Sequence, residues 1–204
     1  MYRRIALSAS LALILGVAML SAAAALSPQQ ADAFARKVAI ISQQGSLTTA
    51  TGRTAVPRRT SLSEAELNSW FQYRATPLLP VGMTEPQITI IGGGKVSGAA
   101  TVDLDAVAKT KRSGSLIDPW NLLGGRLPVT VTGVLRTQNG QGQFELQQAA
   151  ISGVPVPKSL LQELVSYYSK TADKPGGVSI DEPFALPAGI RQIEVGQGQA
   201  VVVQ

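Results

Sequence analysis

From residue 87 onward the hydrophobic pattern alternates with a period of two and doubles back three times across glycine, which commits this part of the chain to antiparallel hairpins. Gln87 to Ile91 sets Ile88 and Ile90 on one face. Gly92-Gly93-Gly94 then turns the chain into a return strand where Val96, Gly98, Ala100, Val102 and Leu104 alternate with Lys95, Ser97, Ala99, Thr101 and Asp103. A second hairpin pairs Pro128 to Arg136 with Gly142 to Ile151 through Asn139-Gly140, a dipeptide suited to the tight turn of a two-residue loop. Its Val129, Val131 and Leu135 face Phe144 and Leu146. The third pairs Ile190 to Val195 with Gln199 to Val203 through Gly196-Gln197-Gly198. Small residues at Gly98, Ala99, Ala100, Gly133, Ala149 and Ala150 allow bending and close approach, so the expected sheet is curved.

Two segments carry a period of 3.6 instead. Ser63 and Glu66 have the spacing of a capping box, with Leu62 and Leu67 placed for a hydrophobic staple, and a helix from Glu64 to about Arg74 follows. Leu67, Trp70, Phe71 and Ala75 form its apolar face, and Thr76-Pro77 ends it. The second helix follows Val154-Pro155-Val156-Pro157, with Pro157 suited to its first position and Leu160, Leu161, Leu164, Val165 and Tyr168 forming a wide stripe. Residues 171–187 are a connection. The expected fold is α+β: a curved antiparallel sheet of about six strands, from three hairpins, packed around two amphipathic helices.

The front of the chain reads differently. Arg3 and Arg4, an apolar run from Ile5 to Leu20 and a small-residue tract through Ala23 and Ala25 have the order of a secretory signal, so 1–25 is expected to be a signal peptide and the protein exported to the periplasm or cell envelope. An uncleaved anchor is the alternative, because Ile5 to Ala31 carries no charge. Residues 26–60 are expected to hold a short helix, Gln30 to Ile41, with Phe34, Val38 and Ile41 on one face, and then a flexible tether rich in Ser, Thr, Gln and Gly. Residues 61–204 then form a single α+β domain.

Composition narrows the chemistry. The chain has neither His nor Cys, which removes imidazole-based nucleophile systems, disulfides and metal sites built on those ligands; no cofactor is expected. The net charge of +5 falls to +3 once Arg3 and Arg4 are set aside, and the remaining cations are too scattered for a nucleic-acid stripe. Asp103 with Asp105, and Asp181 with Glu182, are the acid pairs to weigh for carboxylate hydrolysis, and both lie beside turns. Ser159 beside Lys158, and Ser166 four residues before Lys170, lack the S-x-x-K context of a Ser-Lys nucleophile. Gly92-Gly93-Gly94-Lys95 precedes a strand instead of a helix, so it reads as a turn and not a phosphate loop.

The run Ser61-Leu62-Ser63-Glu64-Ala65-Glu66-Leu67-Asn68 opening a helix, the hairpin strand Val96 to Leu104 and the strand Val129 to Leu135 resemble exported bacterial envelope proteins of uncharacterised families. These in turn are similar to the tubular lipid-binding (TULIP-like) half-barrels. The resemblance implies a curved sheet wrapping a helix around an apolar groove, and it transfers no functional residue. On that reading Leu67, Trp70, Phe71, Leu160, Leu164 and Tyr168 line a groove for a hydrophobic or lipid-like ligand; otherwise they are core. The insertion from Ala106 to Arg126 sets Lys109, Lys111 and Arg112 ahead of Trp120, a pairing suited to a membrane surface or anionic headgroup, or else to capping the end of the core over solvated cations. The expected function is that of a non-enzymatic envelope protein binding a lipid-like ligand. The alternatives are a structural module binding another envelope protein through a sheet edge or the Trp120 loop and, more weakly, a carboxylate-dependent hydrolase.

Overall fold

The computed structural model describes residues 25–51, 57–106, 125–170 and 174–204, with the backbone alone at 47–51, 164, 167 and 168. The fold is α+β, with a curved antiparallel sheet of about six strands as expected. In chain order the elements are α1 (Pro28–Thr51), β1 (Arg59–Ser63), α2 (Glu64–Tyr73), β2 (Met83–Gly92), β3 (Lys95–Asp103), β4 (Arg126–Gln138), β5 (Gln141–Ile151), β6 (Val154–Pro155), α3 (Lys158–Ser169), β7 (Phe184–Ala185), β8 (Gln192–Val195) and β9 (Gln199–Val203). The first two hairpins build the larger sheet in the order β2-β3-β4-β5-β6, with β7 also on β5. The turns behave as their sequences dictate: Gly92, Gly93 and Gly94 all have positive φ, as do Asn139 and Gly140.

Cross-strand register gives this sheet two unlike faces. Ile90, Val96, Gly133 and Leu146 align across β2 to β5, as do Ile88, Gly98, Val131 and Ala149, which collects the apolar side chains on one face. Ser97 aligns with Thr132, and Ala99 with Thr130, on the other, where the Ser97 and Thr132 hydroxyls lie 2.9 Å apart. Phe144 packs its ring over Gly133, where a Cβ would come within 2.5 Å of it, at the point where the β4–β5 register slips by one residue.

The third hairpin stands apart from the other two. β8 and β9 form a separate three-stranded sheet with β1, in the order β1-β9-β8. It docks on the larger one through backbone bonds such as the Gly140 amide to the Arg191 carbonyl at 2.9 Å, and through Thr137, whose hydroxyl donates to the Ile193 carbonyl at 2.9 Å and accepts from the Ile193 amide at 2.8 Å. β1 has the sequence Arg-Thr-Ser-Leu-Ser, too polar to announce a strand, and it exists because β9 supplies a backbone partner from Arg59↔Val203 to Ser63↔Gln199.

The expected boundary at residue 61 also shifts. α1 runs to Thr51 and covers much of the expected tether, and its inner positions are Ala31, Phe34, Ile41 and Gly45. Val38, expected on that face, is 39% exposed. Ser27 caps the helix by accepting the Gln30 amide at 3.3 Å, Pro28 takes the first turn, and the Ser27 amide donates to the fully buried Ser69. Ile41 joins Ile190 and Val202 in a buried cluster against which Leu62 packs, so α1 belongs to the folded domain and Leu62 serves the core. No helix among the described residues is long and apolar enough to cross a membrane; residues 1–24 lie outside the description.

α2 begins with the expected capping box, in which the Glu66 amide donates to Ser63 Oγ at 3.1 Å and the Ser63 amide to Glu66 Oε2 at 3.0 Å. Glu66 also receives Lys37 of α1 at 2.7 Å. Burial pushes the Glu66 carboxyl upward, but Lys37 and the Ser63 amide outweigh it and hold the group below its ordinary value. This contribution to stability is therefore present above the ordinary carboxylate value of about 4.3 and is lost as pH falls through the lowered folded-state value. Urea midpoints measured from pH 6 to pH 2.5 should show a loss on the order of 1 kcal/mol from this pair, and Glu66→Gln should flatten that part of the profile.

Candidate ligand groove

α2 lies along the outer edge of β2 and occupies its free backbone groups. The Asn68 amide takes both groups of one residue: its nitrogen donates to the Ile88 carbonyl and its oxygen accepts from the Ile88 amide, each at 2.8 Å. Glu64 accepts the Ile90 amide at 2.6 Å, and the Gly198 amide donates to the Ile90 carbonyl at 2.8 Å. The edge that could have paired with another chain is closed at these positions.

The same placement opens a groove of about 660 Å³ between α2 and the hydroxyl-bearing face of the sheet. Asn68, Phe71 and Gln72 form the helix wall, and Gln87, Ala99, Thr101, Pro128 and Thr130 lie beneath. Thr76, Leu79 and Met83 close one side, with Leu26 from the segment before α1. Thr84, Glu85 and Pro86 form a bulge in β2, where Glu85 has a φ of 53°. Two charged groups stand at this margin and both contact threonine hydroxyls. Arg126 donates to Thr84 Oγ1 at 3.0 Å, and Glu85 accepts from Thr101 Oγ1 at 3.3 Å. The groove therefore offers apolar surface from Phe71, Leu79 and the prolines beside a row of small polar groups.

Of the residues expected to line a ligand site, Phe71 does so. Trp70 turns toward α1, its ring 5.5 Å from Phe34 and 5.6 Å from Phe71, so it chiefly joins the two helices. Leu67 is half-buried on α2 outside the lining. Leu160 sits on α3, which packs beside β5 at the far side of the sheet from α2, so the structure does not bring it to Phe71. Leu164 and Tyr168 are on the same helix, where only their backbone is described. Lys109, Lys111, Arg112 and Trp120 lie outside the described residues. Among the groove residues, Leu79, Met83, Thr84 and Glu85 precede the alternating segments and are not singled out by the sequence, and Thr101 and Thr130 are read by alternation alone as a solvated face.

Asp103, Asp105 and Asp181 have structural partners. Asp103 accepts the Ala106 amide at 2.8 Å and Asp105 accepts the Gly125 amide at 3.1 Å, holding the two ends of the β3–β4 connection. Asp181 pairs with Lys158 at 2.6 Å across exposed surface. Ser166 accepts from Gln162 at 2.6 Å and donates to the Val178 carbonyl at 3.3 Å. Among the described residues no group of three acidic side chains could hold a metal ion. No protein-family model matches this chain, and neither does any curated protein or solved structure.

Proposed function

We propose that this chain is an exported envelope protein that binds a small lipid-like amphiphile without transforming it. One observation carries the reading: a groove of about 660 Å³ has an apolar wall at Phe71 and Leu79 and a floor of threonine hydroxyls. That volume lies within the usual range for small-molecule sites, about 300–1,000 Å³. Burial of a tail against Phe71 supplies the drive, at roughly 0.8 kcal/mol per methylene removed from water. Thr84, Thr101, Thr130 and Gln87 provide donors and acceptors for a polar head. The non-enzymatic part of the proposal is supported by the engagement of Glu85, Asp103 and Asp105 with hydroxyl or amide donors. The covered β2 edge favours ligand binding over a partner strand at that position.

Solvent extraction and mass spectrometry of protein purified from cells, with no detergent used, should recover one class of single-chain or short-chain amphiphile near one per protein. Only bulk phospholipid far below that ratio would reject the proposal.

A further inference from the structure

Glu85 is the one side chain bearing a full charge among the described residues that line the groove. It stands on the bulge of β2 with a φ of 53°, a conformation that glycine adopts freely and a glutamate only at a cost. A bulge re-aims the side chain it carries. Here the carboxylate reaches the end of the threonine floor, where Thr101 Oγ1 donates to Glu85 Oε2 at 3.3 Å. Its other oxygen, Oε1, accepts no bond from the described residues.

The hydrogens at this end of the groove are already committed. The Thr101 hydroxyl gives its own to Glu85, while Thr84 Oγ1 accepts from Arg126 at 3.0 Å and donates toward the Thr101 carbonyl at 3.5 Å. Each hydroxyl carries one hydrogen and two lone pairs. What remains for a ligand at Glu85, Thr101 and Thr84 is therefore lone pairs. Further along the floor the Thr130 and Gln87 side chains are exposed and bond none of the described residues, so they keep donors as well as acceptors.

A carboxylate or phosphate head has only lone pairs to offer, and it would meet those of Glu85 and Thr101 with the Glu85 charge beside them. Two further acids stand near: Asp103 is the cross-strand partner of Arg126, and Asp105 accepts the Gly125 amide. An ammonium head escapes that repulsion. It cannot accept from Thr130 or Gln87, however, and at Thr84 it would come against the Arg126 guanidinium. A neutral head with neighbouring hydroxyls can donate to Glu85, Thr101 and Thr84 while accepting from Thr130 and Gln87, and it gives up no charge hydration on entering.

We infer that the groove selects an amphiphile with an uncharged polyol head, a glycerol-like group of neighbouring hydroxyls, and that Glu85 recognises it. The inference rests on the groove proposal and names the head group that the ligand carries.

Monodecanoylglycerol, methyl decanoate, decanoate and decylamine have nearly the same tail and differ at the head. Calorimetric titration of each, below its micelle-forming concentration and at neutral pH, should show monodecanoylglycerol binding roughly tenfold more tightly than the others, the effect of one or two net hydrogen bonds. Glu85→Gln should weaken it about fivefold, leave methyl decanoate, which has no hydroxyl, unchanged, and strengthen decanoate. Saturable binding of all four at equal affinity, tighter binding of decanoate or decylamine, or an unaltered monodecanoylglycerol affinity in Glu85→Gln would overturn the inference and leave the groove as an apolar site. No saturable binding by any of the four would remove the groove proposal and the inference with it.

Discussion

Gly45→Ala should lower the melting temperature by about 4–8 °C, a change opposite in sign to that expected from helix propensity. In an exposed helix interior, replacing glycine with alanine stabilises by about 1 kcal/mol. Here a Cβ on Gly45 would lie 2.4 Å from the carbonyl carbon and oxygen of Ala188, and those are backbone atoms that no rotamer change can move aside. Ala188 itself has a φ of 53°, and its carbonyl accepts from the Gln204 side chain at 2.7 Å, as the Ile41 carbonyl does at 2.8 Å. Relieving the overlap means displacing α1 from the Ile41, Ile190 and Val202 cluster. Overpacking at an unyielding contact costs about 3 kcal/mol, so a net loss of about 2 kcal/mol remains after the gain in propensity. Ser42→Ala, on the exposed side of the same helix, should be neutral or slightly stabilising. A rise in melting temperature for Gly45→Ala would show that α1 does not pack closely on the domain.

The contrast between Gly45 and the hairpin glycines shows which parts of this fold can be read from sequence. Gly92-Gly93-Gly94 and Asn139-Gly140 encode turns locally, so they and the alternation on either side fix which strands pair, whereas the register slips at Ile90/Gly92 and Thr132/Gly133 are not marked by the alternation. The Ser63 and Glu66 capping box is equally local. α1 beyond Ile41 is not, because its contact with the domain is made by a glycine against a backbone, and the surrounding Ser, Gln and Thr residues resemble a tether. β1 depends on β9, more than a hundred residues away in the chain, which contributes backbone partners and little side-chain pattern. The attachment of the third hairpin to the larger sheet is equally hard to read, because it is made by the Thr137 side chain on Ile193 and by backbone bonds from Gly94 to Val195 and from Gly140 to Arg191, none of which periodicity marks.

The groove is legible on one side only. Phe71 stands out as an aromatic on an amphipathic helix, whereas Thr101 and Thr130 have the pattern of a polar face turned to water. They become a floor because Asn68 and Glu64 fasten α2 to the edge of β2 and so carry Phe71 beside that face. Trp70 looked equally suited to a ligand, but its partner Phe34 comes from α1, a helix that the sequence alone places outside the domain. Leu160 belongs to the helix packed beside β5, at the far side of the sheet from α2, where the neighbouring Leu161 is buried at 9% exposure.

Thr130→Trp should abolish or greatly weaken amphiphile binding while sparing the fold. Thr130 is exposed on the groove floor, its cross-strand neighbours are Ala99 and Ala150, and an indole suits a pleated surface with small residues on either side. The new ring would occupy the space beneath Phe71 that the tail requires. Titration of a fluorescent fatty acid into the wild-type protein, Thr130→Trp and the remote variant Ser159→Trp is the most direct test of the groove as a ligand site. Saturable one-to-one binding in the wild type and Ser159→Trp, weakened at least tenfold, or about 1.4 kcal/mol, in a folded Thr130→Trp, is the expected result. Equal affinity in all three proteins, or no saturable binding in the wild type, would contradict it.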